Sequence, residues 1–467
     1  MSSMVTRFRP RFIAKSPVLR LTTAGSLSAV ILTALVTAGI TSAVVRPAQP
    51  AAVKVSVAAL ARGNTGNALA DAPGRGAHWV GTWAAAPQLT EPGNMPPAPF
   101  TQDNLVFADS TLRQTVHVSV GGRLIRLRFS NAYGGTDLPI TTVSVAMPLG
   151  GQAGVSAIQP GTSQAVSFGG RTAIDIPVGA QMVSDPLEYP VATGSNLTVT
   201  IYLAAGQASN SITSHPGSRT TSYMLAGNHV DDGDLPGAAS VAHWYFLSNV
   251  ETWTAKNTAA IDVVGDSLTD GRGSTTNGND RWTDQLFTRL QSSPGTAHIA
   301  VLNQGLGGNR VLNDGLGPNV LARIDRDVLA QSEVKWLIVF EGVNDIGTAD
   351  ATPAAQKQVA ADLIAAYQQI IIRAHAAGIR VYGATITPFG GNTSYDDPNG
   401  YREAARETAN DWIRSSRQFD AVLDFDRAIR DPASPREINP SYDVGDHLHL
   451  TPAGYQVLAA AVPTRLF

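Results

Sequence analysis

Four short segments of this 467-residue chain carry side chains in combinations that can do chemistry. The first is Gly265-Asp266-Ser267-Leu268-Thr269-Asp270-Gly271. A serine at a strand-to-helix turn exposes its hydroxyl, and neighbouring backbone N–H groups can stabilise an anion. Gly-Asp-Ser is equally a common turn. The second is Asn303-Gln304-Gly305-Leu306-Gly307-Gly308-Asn309. Counted from Gly305, the third glycine of a dinucleotide fingerprint would fall on Arg310, so that pattern fails. What remains is a tight turn, or a backbone N–H at Gly308 that no side chain obstructs. The third is Glu341-Gly342-Val343-Asn344-Asp345. The Asn344 carboxamide is a neutral, directional donor suited to a developing oxyanion, or else a helix cap. The fourth is Asp443-Val444-Gly445-Asp446-His447-Leu448-His449. A neutral imidazole can take a serine proton when a carboxylate holds its tautomer and stabilises the imidazolium. Asp446 and His449 supply both from one loop. Asp446, His447 and His449 also fit a metal-ligand reading, but no further ligand cluster accompanies them.

These segments need elements to position them. Ile261–Val264 reads as a short buried strand, followed by helical pattern over Arg281–Gln291. Strand Ile299–Asn303, helix Asn319–Ala330 and strand Trp336–Phe340 come next. The longest helix spans about Ala354–Ala377, with Val359, Leu363, Tyr367, Ile370 and Ala374 at three- and four-residue spacing and Gly378 where a cap belongs. Strand Arg380–Thr385, helix Glu403–Ser416, strand Ala421–Phe425 and helix Pro452–Ala461 complete the pattern. Alternating strands and helices imply a parallel sheet covered on both faces, with ligands at the carboxyl ends of its strands. The four segments follow strands one, two, three and five.

Together they offer a nucleophile, two oxyanion donors, a carboxylate and a base. This set resembles the SGNH hydrolases, also called GDSL esterases and lipases. The blocks are Gly265-Asp266-Ser267-Leu268, Gly308, Gly342-Val343-Asn344-Asp345 and Asp446-His447-Leu448-His449, in the family's order over about residues 258–467. The resemblance implies a flavodoxin-like three-layer α/β/α domain with a parallel five-stranded sheet of order 2-1-3-4-5. It implies Ser267 as nucleophile, His449 as base and Asp446 as its orienter, with an oxyanion hole from the Ser267 and Gly308 N–H groups and the Asn344 side chain. His447 stands where a small glycine is often found. No cofactor or metal is implied.

Upstream, residues 78–254 read as β. Thr111–Phe129 is two alternating runs around Gly121-Gly122, a hairpin signal. Val116, Val118 and Val120 share one face of the first run, and Ile125, Leu127 and Phe129 one face of the second. Further strand candidates are Ile140–Ala146, Ala165–Phe168, Asn196–Leu203 and His243–Ser248. Short strands punctuated by Gly, Pro and Asn suggest an all-β sandwich domain. With its opening His78-Trp79-Val80-Gly81-Thr82-Trp83, it resembles the extension found on some extracellular members of the family, many of them carbohydrate-related. The two tryptophans fit a core role or stacking on sugar.

Composition narrows the function. Charged residues make up 15% and the net charge is −3, so no positive field exists to collect nucleic acid, while 43% hydrophobic residues can build a sizeable core. With no cysteine, disulfides, thiolate metal sites and cysteine nucleophiles are excluded. There is no Gly-x-Ser-x-Gly, His-Glu-x-x-His or phosphate-loop lysine. Residues 1–20 carry five basic residues and no acid, residues 21–45 carry no charge, and Thr41-Ser42-Ala43 are small. Residues 1–45 therefore read as a signal peptide for secretion or, alternatively, as a membrane anchor with the catalytic domain outside. Residues 46–77 read as a flexible linker. The expected activity is serine ester hydrolysis of short acyl groups, such as acetyl, on carbohydrate or small esters. The alternatives are a lipase, lysophospholipase or arylesterase preferring longer chains, and an inactive carbohydrate- or wall-binding protein.

Overall fold

The structure, a computed structural model, describes residues 76–467. The export segment and all but the last two residues of the linker lie outside the described residues. Among the described residues no helix is long and apolar enough to cross a membrane.

The principal strands are numbered in chain order: β1 (Ala77–Ala84), β2 (Ser110–His117), β3 (Gly122–Ser130), β4 (Thr142–Ala146), β5 (Asn196–Leu203) and β6 (Leu247–Ala255). They are followed by β7 (Ala259–Gly265), β8 (Ile299–Gly305), β9 (Val334–Phe340), β10 (Arg380–Ala384) and β11 (Ala421–Leu423). β1 to β6 belong to two antiparallel sheets. One runs β1-β6-β3 and then Gln181–Val183; the other runs Ala239–Val241, Ser222–Ala226, β2, β5, β4, Gln164–Val166. Ile125, Leu127, Phe129 and Val250 from the first sheet meet Leu112, Val116, Val199 and Ile201 from the second in one buried cluster. This is the face-to-face packing of a sandwich.

The expected hairpin at Gly121-Gly122 does not form. β2 pairs with β5 and Ser222–Ala226, whereas β3 pairs with β6, so the two runs lie in opposite sheets. The residues between them spend their backbone groups elsewhere. Val118 N–H donates to Ser195 O, Ser119 N–H to Thr82 O, and Val120 N–H to Thr82 Oγ. Gly121 is packed so tightly that a Cβ would stand 2.4 Å from Val191 O. The two glycines thus form an arch between sheets. Alternation fixes which residues face inward but not which partner strand takes the hydrogen bonds.

β7 to β11 form a parallel sheet of order β8-β7-β9-β10-β11. The principal helices are α1 (Ser267–Asp270), α2 (Trp282–Gln291), α3 (Val343–Thr348), α4 (Pro353–Ala376), α5 (Tyr401–Ser415) and α6 (Pro452–Ala461), and the last strand stops at Leu423 because Phe425–Ile429 is a short helix. Alternation along β7 divides the core. Ile261 and Val263 pack with Trp282, Leu286, Tyr455 and Leu458 of α2 and α6. Ala260 and Val264 face the side that holds Leu363, Tyr367 and Ile370 of α4 and Ala409 of α5. The result is the three-layer α/β/α arrangement. Gly378, at φ +75°, ends α4 with its N–H on His375 O, while Ile379 N–H bonds to Ala374 O.

The single helix expected over 319–330 is instead a helix at Val320–Ile324 that opens into a wider π turn at Asp325–Leu329. The break accompanies burial of Arg323, whose guanidinium reaches Asn309 Oδ1, Gln304 O and Asp327. Periodicity alone does not register such a polar anchor.

The sandwich and the α/β part adjoin through β1, and Val80, Ala84 and Val120 share a buried cluster with Ala300 and Leu302 of β8. Gly81 lies over Leu302, and its N–H donates to Ser332 O at 3.2 Å. Asn249 Nδ2 donates to Gln331 Oε1 at 2.8 Å.

Candidate active site

β7 ends at Gly265, and the chain turns at once into α1. Asp266 caps that helix by accepting the Leu268 N–H at 2.9 Å, which sets Ser267 at the first helical position. Gly271, at φ +100°, closes the turn. Ser267 Oγ stands 2.9 Å from His449 Nε2, and His449 Nδ1 stands 2.6 Å from Asp446 Oδ2. A carboxylate only accepts, so Nδ1 carries the proton and Nε2 is free to accept from the serine hydroxyl. Asp446 Oδ1 in turn accepts the N–H groups of Leu448 and His449.

Charge states suit this chain of contacts. Burial pushes the His449 imidazolium below the ordinary histidine value, and Asp446 offsets this only in part. Burial would raise Asp446, but the hydrogen bonds from His449 outweigh it and hold the carboxyl below its usual range. A neutral base and an ionised orienter are therefore the resting forms near neutral pH. Behind the nucleophile, burial pushes Asp266 up to about 7, against the Leu268 N–H and with help from Asp345 and Asp270. Burial likewise lifts Asp345 to about 6 and Glu341 well above the carboxylate range.

The donors converge from two further strand ends. Gly308 follows β8 at φ +74°, where a Cβ would stand 2.5 Å from Leu316 Cδ1. Asn344 lies in the first turn of α3. Its Nδ2 donates to Asn309 O at 2.8 Å, and its Oδ1 accepts the Tyr395 hydroxyl at 2.6 Å. Those two contacts fix the amide's orientation and leave its second N–H uncommitted. Ser267, Gly308, Asn344 and His449 line one cavity of about 570 Å³. His447 does not enter it: at φ +58° its ring turns to Asp443, 2.8 Å away. The left-handed backbone there explains why glycine suits the position.

Several lining residues carry no signal in the sequence. Tyr395 arrives from the loop after Gly390. The opposite wall comes from the sandwich, through Gln88, Glu91, Asn94, Arg219 and His243. Trp83 does not line this cavity; it packs edge-on against Trp244 in the sandwich. Trp79 stacks edge-on against Trp253 beneath the Arg126 guanidinium.

Residues 263–457 match the family model described as GDSL-like lipase/acylhydrolase, a span holding every one of the five candidate residues. A search of curated proteins finds no match. Among solved structures, similarity extends to a G-D-S-L family protein from Desulfitobacterium hafniense, at 20% identity over 45% of this chain and 100% of that one, TM-score 0.34. An acetylxylan esterase from Geobacillus stearothermophilus is similar at 20% identity over 44% of this chain and 91% of that one, TM-score 0.33. A Bacteroides fragilis protein described as an acylhydrolase is similar at 19% identity over 44% of this chain and 85% of that one, TM-score 0.31.

Proposed function

Since residues 263–457 form a GDSL-like lipase/acylhydrolase domain, we propose that the chain hydrolyses acyl esters through an acyl-enzyme on Ser267. The observation that carries this reading is the continuous contact from Ser267 Oγ to His449 Nε2 and from His449 Nδ1 to Asp446. His449 takes the hydroxyl proton as Ser267 Oγ bonds to the ester carbonyl carbon. The carbonyl oxygen becomes an oxyanion facing the Ser267 and Gly308 N–H groups and the free Asn344 N–H. On collapse the ester C–O bond breaks and His449 protonates the leaving alcohol. Water then repeats the cycle, releasing the acid and returning the proton to Ser267.

The preferred substrate in this reading is a short acyl group, such as acetyl, on carbohydrate. It is supported by the polar side chains that the sandwich adds to the cavity lining, Gln88, Glu91, Asn94, Arg219 and His243, which suit a hydroxyl-rich alcohol. The basic and apolar N-terminal segments support action outside the cell, secreted or anchored. The test is hydrolysis of p-nitrophenyl esters from acetyl to palmitoyl, with the purified chain beside its Ser267→Ala variant. Activity that peaks at acetyl and vanishes in the variant is expected, with acetylated xylan as the next substrate. A peak at long chains would move the assignment to lipids. Equal activity in both proteins would remove Ser267 as nucleophile.

A further inference from the structure

Asp270 sits on the nucleophile's own turn, yet its carboxylate serves a different loop. Its Oδ2 accepts the Gly307 N–H at 3.0 Å. Its Oδ1 stands 3.0 Å from Nε2 of His215, which comes from Thr213–His215, the middle strand of a small antiparallel sheet that Gln88–Leu89 and Trp244–Tyr245 add to the sandwich region. The other nitrogen of that ring, Nδ1, lies 3.0 Å from the Ala86 carbonyl, and the ring stacks on Trp244. The His215–Asp270 pair is nearly sealed from water, at 5% and 9% side-chain exposure. Two further contacts tie the same turn to the sandwich. Arg281 Nε donates to Asp270 O at 2.9 Å while its guanidinium also reaches the Ser218 carbonyl. Gly217 lies so close that a Cβ there would stand 1.7 Å from Asp270 Oδ2.

We propose that His215 and Asp270 are positioning residues for ester hydrolysis, through which the sandwich anchors the Leu306–Gly307 peptide and so positions the next peptide, whose Gly308 N–H is the oxyanion donor. The proposal rests on the reading of Gly308 as that donor. Oxyanion donors act only if aimed before the charge appears. With glycine at both 307 and 308 the loop backbone has little intrinsic preference for one conformation. An outside acceptor on the Gly307 N–H limits how the following peptide can swing, and the Asp270 carboxyl oxygen is that acceptor. Asp270 is in turn held by a ring from another sheet system, so the hole is set by residues far apart in sequence.

The test uses the full chain with His215→Ala, His215→Gln, Asp270→Asn and Ser267→Ala. Titration with a fluorophosphonate counts competent sites, so loss of folded protein is separated from loss of rate. Turnover of p-nitrophenyl acetate is then compared with inhibition by an alkyl trifluoromethyl ketone, whose hemiketal oxyanion occupies the same donors. His215→Ala is expected to lower kcat per titrated site by about 10- to 100-fold with little change in KM, and to weaken the ketone by the same factor. Asp270→Asn keeps one acceptor oxygen where the carboxyl offers two, one to His215 and one to Gly307, and a fall of similar size is expected. In His215→Gln a side-chain N–H can again reach Asp270, and most of the rate should return. A kcat per site within about twofold of the parent in both His215→Ala and Asp270→Asn, or a fall in kcat with unchanged ketone affinity, would overturn the proposal. Undiminished hydrolysis by Ser267→Ala would instead overturn the nucleophile assignment on which it stands.

Discussion

At the scale of single residues, the site depends on His449 being neutral and Asp446 ionised. Because burial lowers the histidine, the acidic limb of the kcat/KM profile should lie below the ordinary value of 6.5, and it should be checked with a small neutral ester. Asp446→Asn removes the contact that raises His449 and fixes its tautomer. Its kcat should fall by about 10⁴-fold, with the acidic limb moving lower still. Tyr395→Phe frees the Asn344 carbonyl to rotate, and a loss of about tenfold in kcat with unchanged KM is expected. Ser267 and Asn344 share a signature in the sequence: a reactive or donor side chain within a few residues of the end of a buried apolar run. Tyr395 lacks it. It reaches Asn344 from a loop 51 residues further along the chain, and a tyrosine in a loop advertises nothing by its type.

At the scale of elements, the parallel sheet was readable because each of its strands and helices carries its own periodicity. The long helix α4 also shows its end in sequence, at Gly378. Thr352 caps its start by accepting the Ala355 N–H, and Gly378 ends it in a left-handed conformation with open space around it. Thr352→Ala and Gly378→Ala should each cost about 1 kcal/mol in urea denaturation while leaving kcat unchanged. The Gly121-Gly122 arch was not readable as an arch. The same two glycines serve a hairpin or a crossing between sheets, and the choice is made by Thr82 and Ser195, which are remote in sequence. Arg113 makes the same point. Its run alternates, yet it is buried on both faces, with the guanidinium on Thr200 and on the carbonyls of Ser156 and Asp232. Alternation registers one apolar face and is silent about a loop folded over the other.

At the scale of the whole molecule, buried acids set a pH dependence of stability. Asp266 has an ordinary value of 3.8 and is pushed up to about 7 in the fold. Between these values the folded chain holds a proton that the unfolded chain has lost. Stability from this group is thus present at low pH and is lost as pH rises from about 4 to 7. Asp266→Asn should therefore raise the melting temperature at pH 8, with the gain vanishing near pH 4. The two halves also share one buried cluster, so a fragment of residues 258–467 would expose Ala300 and Leu302 to water. Such a fragment should aggregate or melt well below the full chain, as read by light scattering and thermal unfolding. The close seat of Gly217 on Asp270 carries an evolutionary consequence. The two halves cannot drift independently, because any side chain at 217 would evict the carboxylate at 270. In an alignment of relatives that keep the sandwich, positions 215, 217 and 270 should change together, and a lineage that lost the sandwich should be free to lose the aspartate as well.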